Sequence, residues 1–499
     1  MKVLLIYPRY PDTFWSFRHA LKFTFKRATH PPLGLLTIAS YFPKNWKVKL
    51  IDMNVEPLEE EDLRGVDLVV LSGMYVQKDS AMGIINRCKR RGTKLVAGGP
   101  LFTTHYNDFE EIIDHFVLNE GEITFPQFLE DLQKGIPKKV YTTQEWADLE
   151  KSPVPSWHLI KMKYYTSMCI QYSRGCPFNC EFCDVTRLFG HKVRTKNKEQ
   201  ILNELEALFQ HKWRGSVFFV DDNFIGSKKK VKEEILPAII DWQERKGYPF
   251  YFYTQASINL ADDEELMKLL VKAGFNSVFI GIETPNEESL AEAKKVQNLG
   301  RNLVESIQKI QKAGLDVMGG FIVGFDNDPP SIFDLLINFI EKTKIVIAMV
   351  GLLNAPPGTN LYKRLEIEGR IRPFFKGTNT DLCTNISPKM EFQFLIEGYK
   401  KIIRELYNSK SYYKRVKNFI KDFYSYQKVK LDLNYLKLHY DYFLAVLKSF
   451  WKLGILDRER KSFWDLILYT IFKKPQCFPL TIWYILCGYH FRKIFKEVF

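Results

Sequence analysis

Three cysteines fall within eight residues in the stretch SRGCPFNCEFCD (173–184): Cys176, Cys180 and Cys183. Thiols this close do metal or redox chemistry. A zinc site usually pairs two Cys-x2-Cys units, and no second pair exists here. Cys88 lies far upstream, and Cys383, Cys477 and Cys487 are scattered downstream. A thioredoxin-type motif needs only Cys180 and Cys183, and both Cys176 and the strand before the loop argue against it. Three incidental structural thiols would rarely cluster this way. The remaining reading is an iron–sulfur cube: three thiolates leave one of its four irons open to a small molecule.

Carboxylates mark two further points. Asp221, Asp222 and Asn223 close the apolar run SVFFVDDNF (216–224), and Glu283 closes SVFIGIET (277–284). At the end of a buried strand such groups meet a polar ligand, or they serve as turn, helix cap or salt bridge. The nine histidines are dispersed, and His191, near the cysteine loop, reads as a solvated loop residue. No Ser-His-Asp set, phosphate loop or internal repeat is evident.

The elements that must position these residues alternate between strand and helix. Residues 1–136 carry short apolar runs at 2–8, 47–54, 67–74, 94–100 and 115–122 that break at Gly, Pro, Asp or Asn, with helical stretches such as 80–92 between them. This is the pattern of parallel strands covered on both faces, and it predicts an open doubly wound α/β (Rossmann-like) sheet. Its ligand belongs at the carboxyl ends of the strands, where SGMY, GGP and NEGE lie. Residues 137–160 are polar and proline-bearing, and read as a linker. Residues 161–380 hold six βα units beginning with SMCIQYSRG (167–175), too few for a closed eight-stranded barrel, so a partial (βα)6 barrel is expected. Residues 381–499 are rich in Tyr, Phe, Lys and Leu and read as helical; amphipathic helices are expected over 395–426. The tail PQCFPLTIWYILCGYHF (475–491) is short for a membrane span, and interfacial helices or a buried helical cap are expected instead.

The totals agree with a large globular chain. It has 499 residues, 46% of them apolar, enough for two or three domains. Eight cysteines make no secreted disulfide framework. MKVLLIYPRYP lacks a cleavable small-residue site, so a reducing cytoplasm is the expected compartment. The net charge of +14 points to nucleic acid, an anionic membrane surface or acidic substrates, or to nothing but a lysine-rich background.

Cys176-x3-Cys180-x2-Cys183, with Phe182 before the last cysteine and a strand before the loop, resembles the radical S-adenosylmethionine (SAM) enzymes. A doubly wound module ahead of the barrel resembles their cobalamin-binding subgroup. Longer strings, among them TFWSFRHALKF, PPLGLLTIAS, VFFVDDNFIG, FIGIETP and GGFIVGFD, resemble the hopanoid C-2 methylase group from residue 1 to about 425. The resemblance implies a 4Fe–4S cluster on Cys176, Cys180 and Cys183, with SAM on the open iron and one-electron cleavage of SAM to a 5′-deoxyadenosyl radical. It implies cobalamin at the first sheet, beside Ser72, Gly98, Gly99, Pro100, Glu120 and Gly121. It places SAM near Asp222, Glu283, Gly320 and Gly324, with Gly319 on the same strand and APPGT (355–359) near the adenine. Arg174 would balance the cluster's charge, while Asp184 and Arg187 cap and brace the loop. Many cobalamin proteins carry Asp-x-His-x-x-Gly; the matching loop here reads DMNVEP (52–57), so the resemblance implies that cobalt would have no histidine below it.

The activity so implied is methylation of an unactivated carbon of a hopanoid or other polycyclic lipid, fed by a reductant such as flavodoxin or ferredoxin. The aromatic, basic C-terminal region suits peripheral contact with the inner face of the cell membrane. Three alternatives stand beside this reading. One is a cyclase or rearrangement enzyme that transfers no methyl. Another is an RNA modifier, against which the N-terminal region offers only Cys88 and no RNA-binding module, so no nucleic-acid partner is expected. The third is a cobalamin-binding sensor that never cleaves SAM.

Overall fold

The computed structural model of the chain describes residues 1–373, 377–378, 382–423 and 440–498. It divides into two compact units that cut across the sequence. The first is Met1–Pro11, Arg27–Pro177 and Val185–Asp222; the second is Asp12–Lys26, Phe178–Asp184 and Asn223–Phe499.

In the first unit β1 (Lys2–Tyr7), β2 (Lys47–Asp52), β3 (Leu68–Ser72), β4 (Lys94–Gly98), β5 (His115–Val117) and β6 (Val140–Tyr141) form one sheet in the order β2-β1-β3-β4-β5-β6. Every pairing is parallel. Successive strand residues point to opposite faces, yet Leu4, Leu5 and Ile6, and again Leu68 through Leu71, are all buried. Both faces are therefore covered, which explains the unbroken apolar runs. Helix Lys78–Arg91 buries Ala81, Ile84, Ile85 and Cys88 at helical spacing and ends at Gly92 in the left-handed region. The strand order reverses between β1 and β3, and such a reversal opens a crevice at the strands' carboxyl ends. The segment 137–160 supplies β6 at the sheet's edge and buries Trp157.

The same unit holds the start of the second alternating series. β7 (Ser167–Ile170) pairs parallel with β10 (Gly215–Phe219). Between them β8 (Ser173–Arg174) and β9 (Arg194–Thr195) form an antiparallel ribbon. Helix Lys198–Gln210 follows, capped by Asn197, whose side chain accepts from the Gln200 amide.

In the second unit β11 (Phe250–Gln255), β12 (Phe275–Glu283), β13 (Asp316–Val323) and β14 (Ala348–Leu352) run parallel, each paired with the next. Helices Glu264–Ala273, Leu303–Lys312 and Ile332–Thr343 alternate with them. With β7 and β10 this gives the six strands expected of the second series. The region after residue 390 is helical: Phe392–Tyr407, Ser409–Asp422, Tyr440–Ser449, Arg460–Lys473 and Phe478–Val498. The last three residues of the stretch 395–426 and the boundary at 380/381 lie outside the described residues. The apolar tail becomes helix Phe478–Val498, with Pro479 in the first turn, where a missing N–H breaks no helical bond. Its Tyr484, Ile485, Cys487, His490 and Phe491 are buried, and Phe14 stacks on Phe491 at 4.1 Å. Among the described residues no helix is long and apolar enough to cross a membrane.

Candidate functional site

The cysteine loop begins on a constrained turn. Gly175 has φ +93°, and a Cβ there would meet the carbonyl oxygens of Lys192 at 2.7 Å and Gly190 at 2.9 Å. Only glycine fits that position. The Cys176 amide then donates to Gly190 O at 3.3 Å. Just upstream, Arg174 stands opposite Arg194 across the β8–β9 ribbon. Like charges directly opposite destabilise a strand pair. Here two carboxylates from the turn after β5 hold them. Glu122 accepts from Arg174 at 2.6 and 3.0 Å. Glu120, only 2% exposed, accepts from Arg194 at 2.5 and 2.9 Å and from Arg174 at 3.4 Å. The Ala147 amide and the Ser152 hydroxyl donate to the same two carboxylates. Burial alone would raise the Glu122 pKa; the Arg174 guanidinium overrides it and holds it at about 2. Glu120 and Arg174, read as cofactor neighbours, are thus engaged with each other and with Arg194.

Cys180 and Cys183 belong to the second unit. Cys180 is buried, and its sulfur accepts from Gln297 Nε2 at 3.7 Å. The next residue, Glu181, anchors the loop: its amide donates to Ala293 O at 2.9 Å, and its carboxylate takes Arg364 at 3.0 Å.

Glu283 ends β12 at φ +66°, a left-handed conformation uncommon for a side-chain-bearing residue. Its carboxylate pairs with Lys295 Nζ at 2.6 Å, and both side chains are largely buried. Burial pushes the Lys295 pKa down, but Glu283 and the nearby Cys180 and Cys183 push it up and win. A Cβ at Gly281 would collide with Glu283 Oε1 and meet Lys295 Nζ at 2.9 Å. The glycine of GIET leaves room for this ion pair. Gly320 lies under Phe279, whose Cζ a Cβ would meet at 2.7 Å. Gly324, at φ +105°, donates its amide to Asp328 Oδ2 at 2.8 Å.

Asp221 is fully buried and accepts from the Tyr172 amide at 3.1 Å and from the amide and hydroxyl of Ser173. Burial pushes its pKa up to about 6 despite these bonds. It ties the end of β10 to the exit of β7. Asp222 beside it is half-buried, and Asn223 Oδ1 accepts from the Ser257 amide at 3.2 Å. His191 and Arg187 are exposed.

At the carboxyl edge of the first sheet, a Cβ on Gly98 would meet Val117 O at 2.5 Å, and one on Gly99 (φ +85°) would run into Ser72 Oγ. Pro100 opens the short helix Pro100–Thr104, and Gly121 faces Ile38. Gly98 and Gly99 lie tight against neighbouring protein atoms, and they also keep the start of the GGP turn free of side-chain bulk. Asp52, at the head of DMNVEP, is turned inward: it accepts from the Tyr165 hydroxyl at 2.9 Å and the Asn54 side chain at 2.7 Å. That loop therefore presents neither an imidazole nor a free carboxylate at this position.

Family models match three stretches: a B12 binding domain over residues 26–129, the radical SAM superfamily over 170–340, and a domain of unknown function (DUF4070) over 359–499. The chain is 42% identical over 417 residues to an uncharacterised methyltransferase of Synechocystis sp., covering 83% of this chain and 78% of that one. It is 35% identical over 375 residues to the hopanoid C-2 methylase of Rhodopseudomonas palustris, covering 74% and 71%. Among solved structures, the cobalamin-dependent SAM radical enzyme OxsB with aqua-cobalamin and SAM bound shares the fold: TM-score 0.63 and 15% identity over 100% of this chain and 79% of that one. The chain is thus an enzyme of the radical SAM class with a B12-binding domain ahead of the radical SAM domain. Within that class it belongs to the cobalamin-dependent methyltransferase family that includes the hopanoid C-2 methylase. The cofactors of this family are a 4Fe–4S cluster, SAM and cobalamin.

The residues present fit that set. Three closely spaced thiols are soft donors suited to iron. The buried Lys295 ammonium beside two of them offsets negative charge. The glycine-lined turns stand at the strand ends where a doubly wound sheet binds its ligand.

Arg194 and Lys295 escape sequence reasoning. Each lies more than ten residues from the motif that it serves, and nothing local marks either.

Proposed function

We propose that this enzyme methylates an unactivated carbon of a hopanoid or another polycyclic lipid. The observation that carries this reading is the 35% identity to the hopanoid C-2 methylase over 375 residues, 74% of this chain. In this reading Cys176, Cys180 and Cys183 hold the cluster. Asp222, Glu283, Gly320 and Gly324 border SAM. Ser72, Gly98, Gly99, Pro100, Glu120 and Gly121 border cobalamin, with Glu120 acting through its bonds to Arg194. When bound, these groups supply what side chains lack: one-electron chemistry on a C–H bond with no acidity, and a methyl donor.

The chain's own part is placement and charge. The Gly175 turn sets where Cys176 begins, and Glu181 pins the backbone beside Cys180. Lys295, kept protonated by Glu283, carries a positive charge against the thiolates. The Asp221 bonds hold the strand exit that leads into the loop. The DMNVEP loop offers no histidine to a bound cobalamin, and a weak or absent lower ligand would favour reactions that pass methyl groups. A polycyclic lipid resides in a bilayer, so the reading also makes the enzyme a peripheral membrane protein, reduced by a flavodoxin- or ferredoxin-like donor.

The test is anaerobic. The protein, reconstituted with iron, sulfide and cobalamin, is given reductant, methyl-deuterated SAM and either hopanoid-containing lipid or a water-soluble metabolite extract. The expected result is a deuterated methyl on a polycyclic lipid, abolished by Cys180→Ser together with the bound iron. A label found only in a water-soluble compound overturns the lipid reading. Cleavage of SAM with no labelled product in either extract overturns methyl transfer to these substrates.

A further inference from the structure

Four large apolar residues recur at every fourth position along helix Tyr440–Ser449 and its continuation Phe450–Ile455: Phe443, Leu447, Trp451 and Ile455. All four are exposed, Trp451 by 62%. The neighbouring helix Arg460–Lys473 buries Phe463, Leu466, Ile467 and Thr470 on one side. It still presents Leu468 and Phe472 outward, the latter 76% exposed. Large apolar residues thus lie on more than one side of this helix, and only one side is covered. Ile455 of the first helix and Leu468 of the second line one shallow depression, together with Trp464, Arg460, Lys461 and Asp465. A soluble chain seldom exposes so continuous an apolar surface without use for it.

The charge around this surface identifies its occupant. Residues 443–474 contain seven Lys and Arg against three Asp and Glu. Two of those acids are engaged elsewhere, Asp457 with Arg492 at 3.4 Å and Asp465 with Lys417 at 2.8 Å. Lys448 lies 3.5 Å from the ring centroid of Phe25, itself 54% exposed, which extends the aromatic surface under a cation. Apolar and aromatic side chains rimmed by lysine and arginine match an anionic bilayer: the rings enter the headgroup boundary and the cations meet its charge.

We infer that the helices Tyr440–Ile455 and Arg460–Lys473 form a docking surface for an anionic lipid membrane. The surface stands independently of the substrate. An enzyme that binds membranes and methylates a soluble compound would lose the lipid reading above and keep this one.

Flotation of the full-length protein with vesicles tests the inference. Two vesicle types serve, phosphatidylcholine alone and an equal mixture with phosphatidylglycerol. The expected result is flotation with the anionic vesicles, weakened by added salt. Trp451→Glu and Phe472→Glu, tested separately, are each expected to lower the partition on the order of tenfold. Both sites face outward, and an unchanged circular dichroism melt confirms that each variant is folded. Three results overturn the inference: wild-type protein that stays unbound, binding indifferent to phosphatidylglycerol, or variants that float as well as wild type. A concentration-dependent dimer that both substitutions abolish, with no vesicle binding, would assign the surface to a second copy of the chain and overturn it equally.

Discussion

Glu283 holds Lys295 protonated at 2.6 Å, largely out of water, beside two of the three thiols. Removing one partner leaves the other charge buried and alone, so Lys295→Met is expected to lower stability by about 3–5 kcal/mol. The double variant Lys295→Met/Glu283→Gln should recover most of that loss, and urea denaturation of Lys295→Met, Glu283→Gln and the double variant measures the coupling. The same lysine offsets negative charge at the cysteine loop. Once the cluster is bound, Lys295→Met/Glu283→Ala should show which charge the cluster senses. If the cation dominates, its reduction potential is more negative than in wild type, as read by an EPR-monitored titration. The three cysteines were legible in the sequence because their spacing is itself the chemical signal. Glu283 was legible as a carboxylate at a strand end, but not its partner, because the chain between them turns through a helix and a loop before Lys295 returns.

The β8–β9 ribbon is two residues long on each side, and it places two guanidiniums opposite each other. Its persistence depends on Glu120 and Glu122. Glu122 has its pKa held at about 2 against an ordinary 4.5. A carboxylate whose folded pKa is depressed contributes stability above its unfolded value and loses it as pH falls toward the folded one. Melting temperature should therefore fall as pH drops from 4.5 to about 2, and Glu122→Gln should flatten that part of the curve. Gly99→Ala tests the neighbouring turn. Its φ of +85° and the Ser72 hydroxyl in the way predict a loss of about 1–3 kcal/mol in a thermal melt. The alternating elements were legible because parallel strands covered on both faces read as unbroken apolar runs. The ion-pair box was not: NEGE resembles a plain βα turn until Arg174 and Arg194 arrive from far along the chain. β6 was also hidden, because two residues at a sheet edge leave no periodicity.

At the scale of the whole molecule, His490 of the last helix donates through Nε2 to Phe14 O at 3.1 Å, while its Nδ1 faces the His19 amide at 3.4 Å. Only a neutral imidazole can donate at one nitrogen and accept at the other. Burial lowers its pKa from 6.5 to about 4. The unfolded chain therefore binds the proton first, and stability should fall as pH drops from 6.5 toward 4. His490→Gln should lessen that slope in a thermal melt. The helical character of residues beyond 390 was legible from composition. The stapling of Phe14 onto Phe491 was not, because it joins opposite ends of the chain. The central claim, methyl transfer by radical chemistry, is tested most directly by product stoichiometry. With the fully reconstituted enzyme, lipid substrate and methyl-deuterated SAM, the account expects 5′-deoxyadenosine, S-adenosylhomocysteine and deuteromethylated lipid to accumulate in equal amounts. Deoxyadenosine accompanied by a rearranged, unlabelled product, with no S-adenosylhomocysteine, would contradict it.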